Sequence, residues 1–163
     1  MSKRGGIKKS MELKKLFIIL MLISFNTNLN AKIIKPANNF TPYDIVKIQL
    51  DALQKNNQTQ GDLGIKQVWL FAHPENKKVT GPYERFKSMI YGKQYKILLN
   101  HSSHKINLIM NTNEKYIYGV ELLDKNKQLF FYEWHVQKAT EKNCIDCWFT
   151  TAVSIPIDQG NSI

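Results

Sequence analysis

The chain has 163 residues, with 23 basic and 13 acidic side chains for a formal charge of +10, and two cysteines. The basic residues are interspersed and the densest pair is Lys77-Lys78, so the one-faced basic footprint of a nucleic-acid binder is excluded. No internal repeat and no low-complexity segment is present, which excludes solenoid and linker classes.

Residues 1–31 come first. Lys14 and Lys15 precede an apolar run, Leu16 to Phe25 (LFIILMLISF), then a polar stretch, Asn26 to Asn30, and Ala31. A positive start, a short apolar centre and a small exit residue spell a cleavable secretory signal peptide. The run holds ten residues, one of them Ser24, whereas a membrane span needs about 20. Membrane contact is therefore expected only in passing, during export, and the expected location is the periplasm or the exterior. Leu29 at −3 is an imperfect cleavage residue, and Met11 offers a second start with its own basic flank, MELKK. Without the leader, Lys3, Arg4, Lys8, Lys9, Lys14, Lys15 and Glu12 are lost, and residues 32–163 carry a net charge of +5. Half of the apparent basicity thus belongs to the address label. The remainder suits one domain with one core. Residues 32–40 read as a flexible arm, 41–155 as the domain and 156–163 as a flexible tail.

Three helices are expected next. Thr41-Pro42-Tyr43-Asp44 reads as a capping box with proline in the first turn. The helix it starts buries Ile45, Val46, Ile48, Leu50 and Leu53 and stops in the polar run before Gly61. The second runs over about Leu63 to Ala72 and is halted by Pro74. The third follows Gly81-Pro82, repeats Tyr83, Phe86 and Met89–Ile90 at helical spacing, and ends at Gly92. The period then changes. Residues 94–100, 104–111, 115–123, 128–137 and 147–155 read as strands, rich in β-branched and aromatic residues. Helices first and strands afterwards predict an α+β fold with a mainly antiparallel sheet.

Alternation sets the register between the third and fourth of these strands. Tyr116, Tyr118, Val120 and Leu122 share one face, as do Phe130, Tyr132, Trp134 and Val136. A three-residue loop with Asn126 left-handed makes the two apolar faces coincide. Glu121, Glu133 and His135 then point away from the helices.

The stretches YDIVKIQLDALQKN (43–56), VWLFAHPENKKVTGPYERFKSMI (68–90), YKILLNH (95–101) and CWFTTAVSI (147–155) resemble the domain of unknown function 4864 family. The sharpest pieces are Phe71-Ala72-x-Pro74-x-Asn76, Gly81-Pro82-x-x-Arg85-Phe86 and Cys147-Trp148. The resemblance covers nearly all of residues 41–155. It implies a member of the nuclear-transport-factor-two-like, or cystatin-like, cone superfamily, from a family found in bacterial exported proteins and in plant plastid proteins. There a curved sheet wraps three helices and leaves a pocket at the open end. The family has no established activity, so no catalytic residue carries over.

Cys144-Ile145-Asp146-Cys147 is the one motif with obvious chemistry. In an exported protein the pair can be oxidised, and it reads as a short structural disulfide or as two thiols pinning the turn before the last strand. A redox site of the thioredoxin type sits at a helix N-terminus, whereas this motif leads into a strand. Zinc would need further ligands, and His73, His101, His104 and His135 lack that spacing. No metal and no cofactor are expected. His101-Ser102-Ser103-His104 reads as a polar turn rather than a nucleophile site, and Arg85 as a surface ion-pairing residue. Trp69, Phe86, Tyr95, Tyr118, Tyr132 and Trp134 fall on inward faces. They suit a packed core or a pocket lined by aromatics with tyrosine hydroxyls as handles. With no convincing catalytic set, the leading expectation is a non-enzymatic module. It holds a small hydrophobic ligand or forms a homodimer through the outer sheet face. The alternatives are a small pocket enzyme (lyase, isomerase or hydrolase type) using Glu121, Glu133 or His135, and thiol chemistry at Cys144 and Cys147.

Overall fold

A computed structural model describes residues 33–57, 60–141 and 144–161. The expected signal peptide lies outside the described residues. Among the described residues no helix is long and apolar enough to cross a membrane.

Helix α1 spans Pro42–Gln54. The Asp44 amide donates to Thr41 Oγ1 at 3.2 Å, and the Thr41 amide donates to Asp44 Oδ2 at 2.8 Å, so the capping box forms as expected. Its buried stripe is Ile45, Val46, Gln49, Leu50 and Leu53. Helices α2 (Leu63–Leu70), α3 (Pro74–Thr80) and α4 (Tyr83–Tyr91) follow. There are four α-helices among the described residues, not three. Pro74 ends the approach from α2 and also opens α3, capped by His73 Nδ1, which accepts from the Glu75 amide at 3.2 Å. Helix α3 buries none of its residues, so no apolar period announces it. A side chain at Gly64 would strike the Ala52 carbonyl and Asn56, so glycine is what lets α1 and α2 approach.

The expected strand at 94–100 is instead a 3-10 turn, Lys96–Leu98. A short apolar run such as KILL has no length to separate strand from helix. Leu98 drops into the core, and Asn100, at φ +57°, turns the chain into the sheet. The Asn100 amide donates to the Leu53 carbonyl at the end of α1 at 2.9 Å.

Five strands lie among the described residues: β1 (Ser103–Asn111), β2 (Lys115–Leu123), β3 (Gln128–Glu141), β4 (Cys144–Val153) and β5 (Ile157–Asn161). They form one antiparallel sheet ordered β1-β2-β3-β4, with β5 also on β3. Long β3 serves β5 with its first residues and β4 with the rest. Residues 157–161, read from sequence as a frayed tail, therefore form a fifth strand. Pro156 lacks an N–H for the ladder and separates β5 from β4. Bulges in β1, and in β4 and β5 where they pair with β3, curve the sheet. The arm is also tied down. Gln67 Nε2 donates to the Ile34 carbonyl at 2.7 Å, and the Ile34 amide donates back to Gln67 Oε1 at 2.8 Å.

The β2–β3 register matches the alternation argument, with Tyr116 opposite Val136, Tyr118 opposite Trp134, Val120 opposite Tyr132 and Leu122 opposite Phe130. The left-handed residue of the hairpin is Lys127, at φ +62°, not Asn126. A type I turn places that conformation at the third loop position. The inner face packs against α1, α2 and α4 in one core, in which Val120, Leu122, Tyr132 and Trp134 are fully buried. Each such side chain contributes about 1.5–3 kcal/mol by leaving water.

Candidate functional site

Between the helices and the inner sheet face lies a cavity of about 190 Å³. Helix α1 brings Gln49 and Leu53, α4 brings Phe86, Met89 and Ile90, and β3 brings Trp134. Buried Gln49, Leu53, Leu98 and Trp134 mark its floor. Half-buried Asn76, Thr80, Tyr95 and Val153 mark its mouth.

The floor carries a closed polar ring. Trp134 Nε1 donates to Gln49 Oε1 at 2.9 Å and to Thr150 Oγ1 at 3.0 Å. Thr150 Oγ1 donates to Gln49 Oε1 at 2.7 Å. The indole is a donor only, so the Gln49 oxygen, not its nitrogen, must face it. The Gln49 nitrogen donates to the Val68 carbonyl at 3.4 Å. At the mouth, the Tyr95 hydroxyl donates to the Val153 carbonyl at 3.1 Å, and burial holds its pKa above the usual tyrosine value. The cavity is lined by sixteen residues, none of them acidic, basic or histidine.

Of the six aromatics expected at a pocket, Phe86, Tyr95 and Trp134 line this one. Trp69 lies beside it, tilted on Phe86 with ring centroids 5.1 Å apart. Tyr118 packs in the core against Tyr43 and Tyr116, and burial raises its pKa to about 12. Tyr132 is fully buried, donates to the Gln94 carbonyl at 3.3 Å and has its pKa raised by burial. Those two rings are core rather than lining. Sequence reasoning passed over Gln49 and Thr150. The signal was there for Gln49, because it lies four residues after Ile45 and four before Leu53, inside the apolar stripe of α1. A glutamine on a buried stripe demands partners.

Glu121, Glu133 and His135 sit on the opposite face of the sheet from Val120, Tyr132 and Trp134, as the register required. Glu133 Oε2 and His135 Nε2 are 3.3 Å apart there. Cys144 and Cys147 are joined by a disulfide within β4, packed with Phe149. No group of three potential ligands is arranged for a metal among the described residues.

Two polar clusters lie outside the cavity. His101 Nδ1 is 2.7 Å from the Leu98 carbonyl and must donate to it. Its Nε2 then accepts from His104 Nδ1 at 2.8 Å. His104 Nε2 in turn faces Asp51 Oδ1 at 3.5 Å. The polar turn expected at 101–104 is thus a histidine ladder ending on α1. Burial lowers the His101 pKa to about 4 and also lowers that of His104, against the pull of Asp51. The second cluster centres on buried Asp62, at φ +57°. Its carboxylate accepts from Asn56 at 3.0 Å and Tyr91 at 2.5 Å, and pairs with Lys87 at 2.7 Å. Burial opposes the charge, but these partners outweigh it and hold the pKa below the usual range. The cluster pins the α1–α2 connection to α4.

No family model, curated protein or solved structure matches this chain.

Proposed function

We propose that this is an exported binding module that holds a small, mostly apolar molecule between its helices and its sheet. The single observation behind the reading is the cavity of about 190 Å³ floored by the Gln49–Trp134–Thr150 ring. Interiors pack to near-crystalline density, and a void of this size forgoes contacts that a ligand would restore. Acid–base chemistry finds little footing at this cavity. Its lining is amides, hydroxyls and apolar groups, and Glu121, Glu133 and His135 lie on the other side of the sheet. The helices-in-curved-sheet arrangement also fits the cone implied by the resemblance to the domain of unknown function 4864 family. The leader at 1–31 supports export. The test is isolation of the protein from its own host, followed by mass spectrometry of whatever is released on denaturation. A stoichiometric small molecule is expected. Repeated recovery of none, with density for side chains alone in the cavity, overturns the reading.

A second reading concerns the outer sheet face and has its own observation. Ile109 and Met110 on edge strand β1 are about half exposed. Ile109 and the Phe131 ring both lie over Gly119, where an added Cβ would come within 3.2 Å of Ile109 Cδ1 and 2.8 Å of Phe131. That contiguous apolar surface suits a second copy of the chain. Sedimentation equilibrium is expected to give a dimer that Ile109→Lys dissociates; a monomer at every concentration removes this reading.

A further inference from the structure

We infer that the cavity selects an uncharged ligand about the size of one six-membered ring with a short substituent, presenting a hydrogen-bond acceptor to the Gln49 side-chain amide. The inference rests on the binding reading above and names the chemical class.

Size comes first. A cavity of roughly 150 Å³ accommodates benzene, whereas drug-sized ligands occupy roughly 300–1,000 Å³. At about 190 Å³ this cavity takes a ring and a few further atoms. Charge is decided by the lining. None of the sixteen lining residues carries a formal charge. An ion there would lose its hydration with no partner to replace it, at a cost of several kcal/mol.

Polarity is decided by which hydrogen-bonding groups are already used. Gln49 Oε1 accepts two bonds, from Trp134 and Thr150. The Trp134 indole hydrogen and the Thr150 hydroxyl hydrogen both lie within that ring. At the mouth, the Tyr95 hydroxyl donates to Val153 and the Thr80 hydroxyl to the Asn76 carbonyl at 2.8 Å. Gln49 Nε2 has two hydrogens and one protein partner, the Val68 carbonyl at a long 3.4 Å. Gln49 is fully buried. Its second hydrogen is therefore left over at the floor, beside the apolar walls of Leu53 and Leu98. Asn76 has a similar surplus, with one bond at 3.4 Å to the Thr150 carbonyl, but it is half-buried at the mouth where solvent competes. A carbonyl, ether or ring nitrogen at the buried end of an apolar ligand is what this floor lacks.

Three probes separate the claims: acetophenone, ethylbenzene and benzoate. All carry the same ring, and they differ in acceptor and charge. Each is titrated into the full chain while the Trp134 indole ¹⁵N–¹H resonance is followed. Acetophenone is expected to bind about threefold to tenfold tighter than ethylbenzene, the worth of one net hydrogen bond. Benzoate is expected to bind at least about a hundredfold more weakly than acetophenone. Gln49→Met is expected to erase the preference for acetophenone while ethylbenzene still binds. Should that variant not fold, the carbonyl stretch of acetophenone bound to the unaltered protein gives the same answer. It is expected to fall below its value in hexane. Ala72→Leu, which fills the cavity from its buried wall, is expected to abolish binding of both neutral probes. Equal binding of acetophenone and ethylbenzene, an unshifted carbonyl stretch, or equal binding of benzoate overturns the ligand class but leaves a binding cavity. Failure of all three probes to move the Trp134 resonance overturns the binding reading as well.

Discussion

Gln49 and Asp51 lie two residues apart on α1 and end in opposite chemistry. Gln49 turns inward and closes a neutral ring with Trp134 and Thr150. Asp51 turns outward, is partly exposed, and ends a ladder that runs through His104 to His101. Both networks bury polar groups, and the first leaves one Gln49 amide hydrogen over. Only the second contains groups that titrate between pH 4 and 7, a window set by the His101 pKa of about 4 and the ordinary histidine value of 6.5. The comparison teaches that one helix supplies a pH-indifferent cavity wall and a pH-sensitive tether from adjacent faces. The physical reason is the helical repeat, which puts residues two apart on different sides.

The largest effect should come from the neutral side. Trp134→Ala removes a fully buried side chain and leaves Gln49 without one of its donors. We expect a loss of about 3–5 kcal/mol in urea unfolding, independent of pH between 5 and 8. A loss under about 1 kcal/mol would mean that the floor does not hold the sheet to α1.

The titrating side should show itself in slope rather than level. His101 has a folded pKa of about 4, below the unfolded 6.5, so the unfolded chain takes up the proton first as pH falls. Its contribution is complete above pH 6.5 and is lost as pH drops towards 4. The depression is worth about 3 kcal/mol by linkage. His101→Gln should flatten that part of the urea-midpoint profile relative to the unaltered protein, and an unchanged slope sinks the ladder's role.

Thr150→Val is a finer test of the neutral ring. It keeps the shape and removes two bonds, the one to Gln49 and the one from Trp134, so a cost of about 1–2 kcal/mol with no change in pH slope is expected. Should the slope change, the two networks are coupled and the contrast between them fails. The smallest effect belongs to Asp51→Asn. Asp51 is partly exposed and its pairs lie near the surface, so stability should shift by less than about 1 kcal/mol. Asp51 raises the His104 pKa against burial. Its removal should therefore lower that pKa further, read from the His104 imidazole shifts in an NMR titration.

Much of this fold was legible in the residues. Thr41 and Asp44 announced the start of α1, and the alternation from Tyr116 to Leu122 and Phe130 to Val136 carried the β2–β3 register. Helix α3 was missed because PENKKVT buries nothing and so has no period. The 3-10 turn at Lys96–Leu98 was missed because an apolar run this short suits either period. Strand β5 was missed because IDQGN is exposed along its whole length, and only the unfilled edge at the start of β3 makes it a strand. All three of the cavity's aromatics, Phe86, Tyr95 and Trp134, were named in advance, along with three that do not line it. The polar residues that give the cavity its character were not, since their meaning depends on partners 85 and 101 residues away.

By itself, the amino-acid order determined the class of fold, the helix-then-strand sequence, the central hairpin and the inward face. Those follow from short-range periodicity, which a local window can read. Tertiary structure alone decided that Gln49 meets Trp134 and Thr150, that two histidines in a turn reach Asp51, and that the aromatics divide between solid core and cavity wall. Such outcomes depend on how distant surfaces fit in three dimensions, and local patterns do not encode the space left between them.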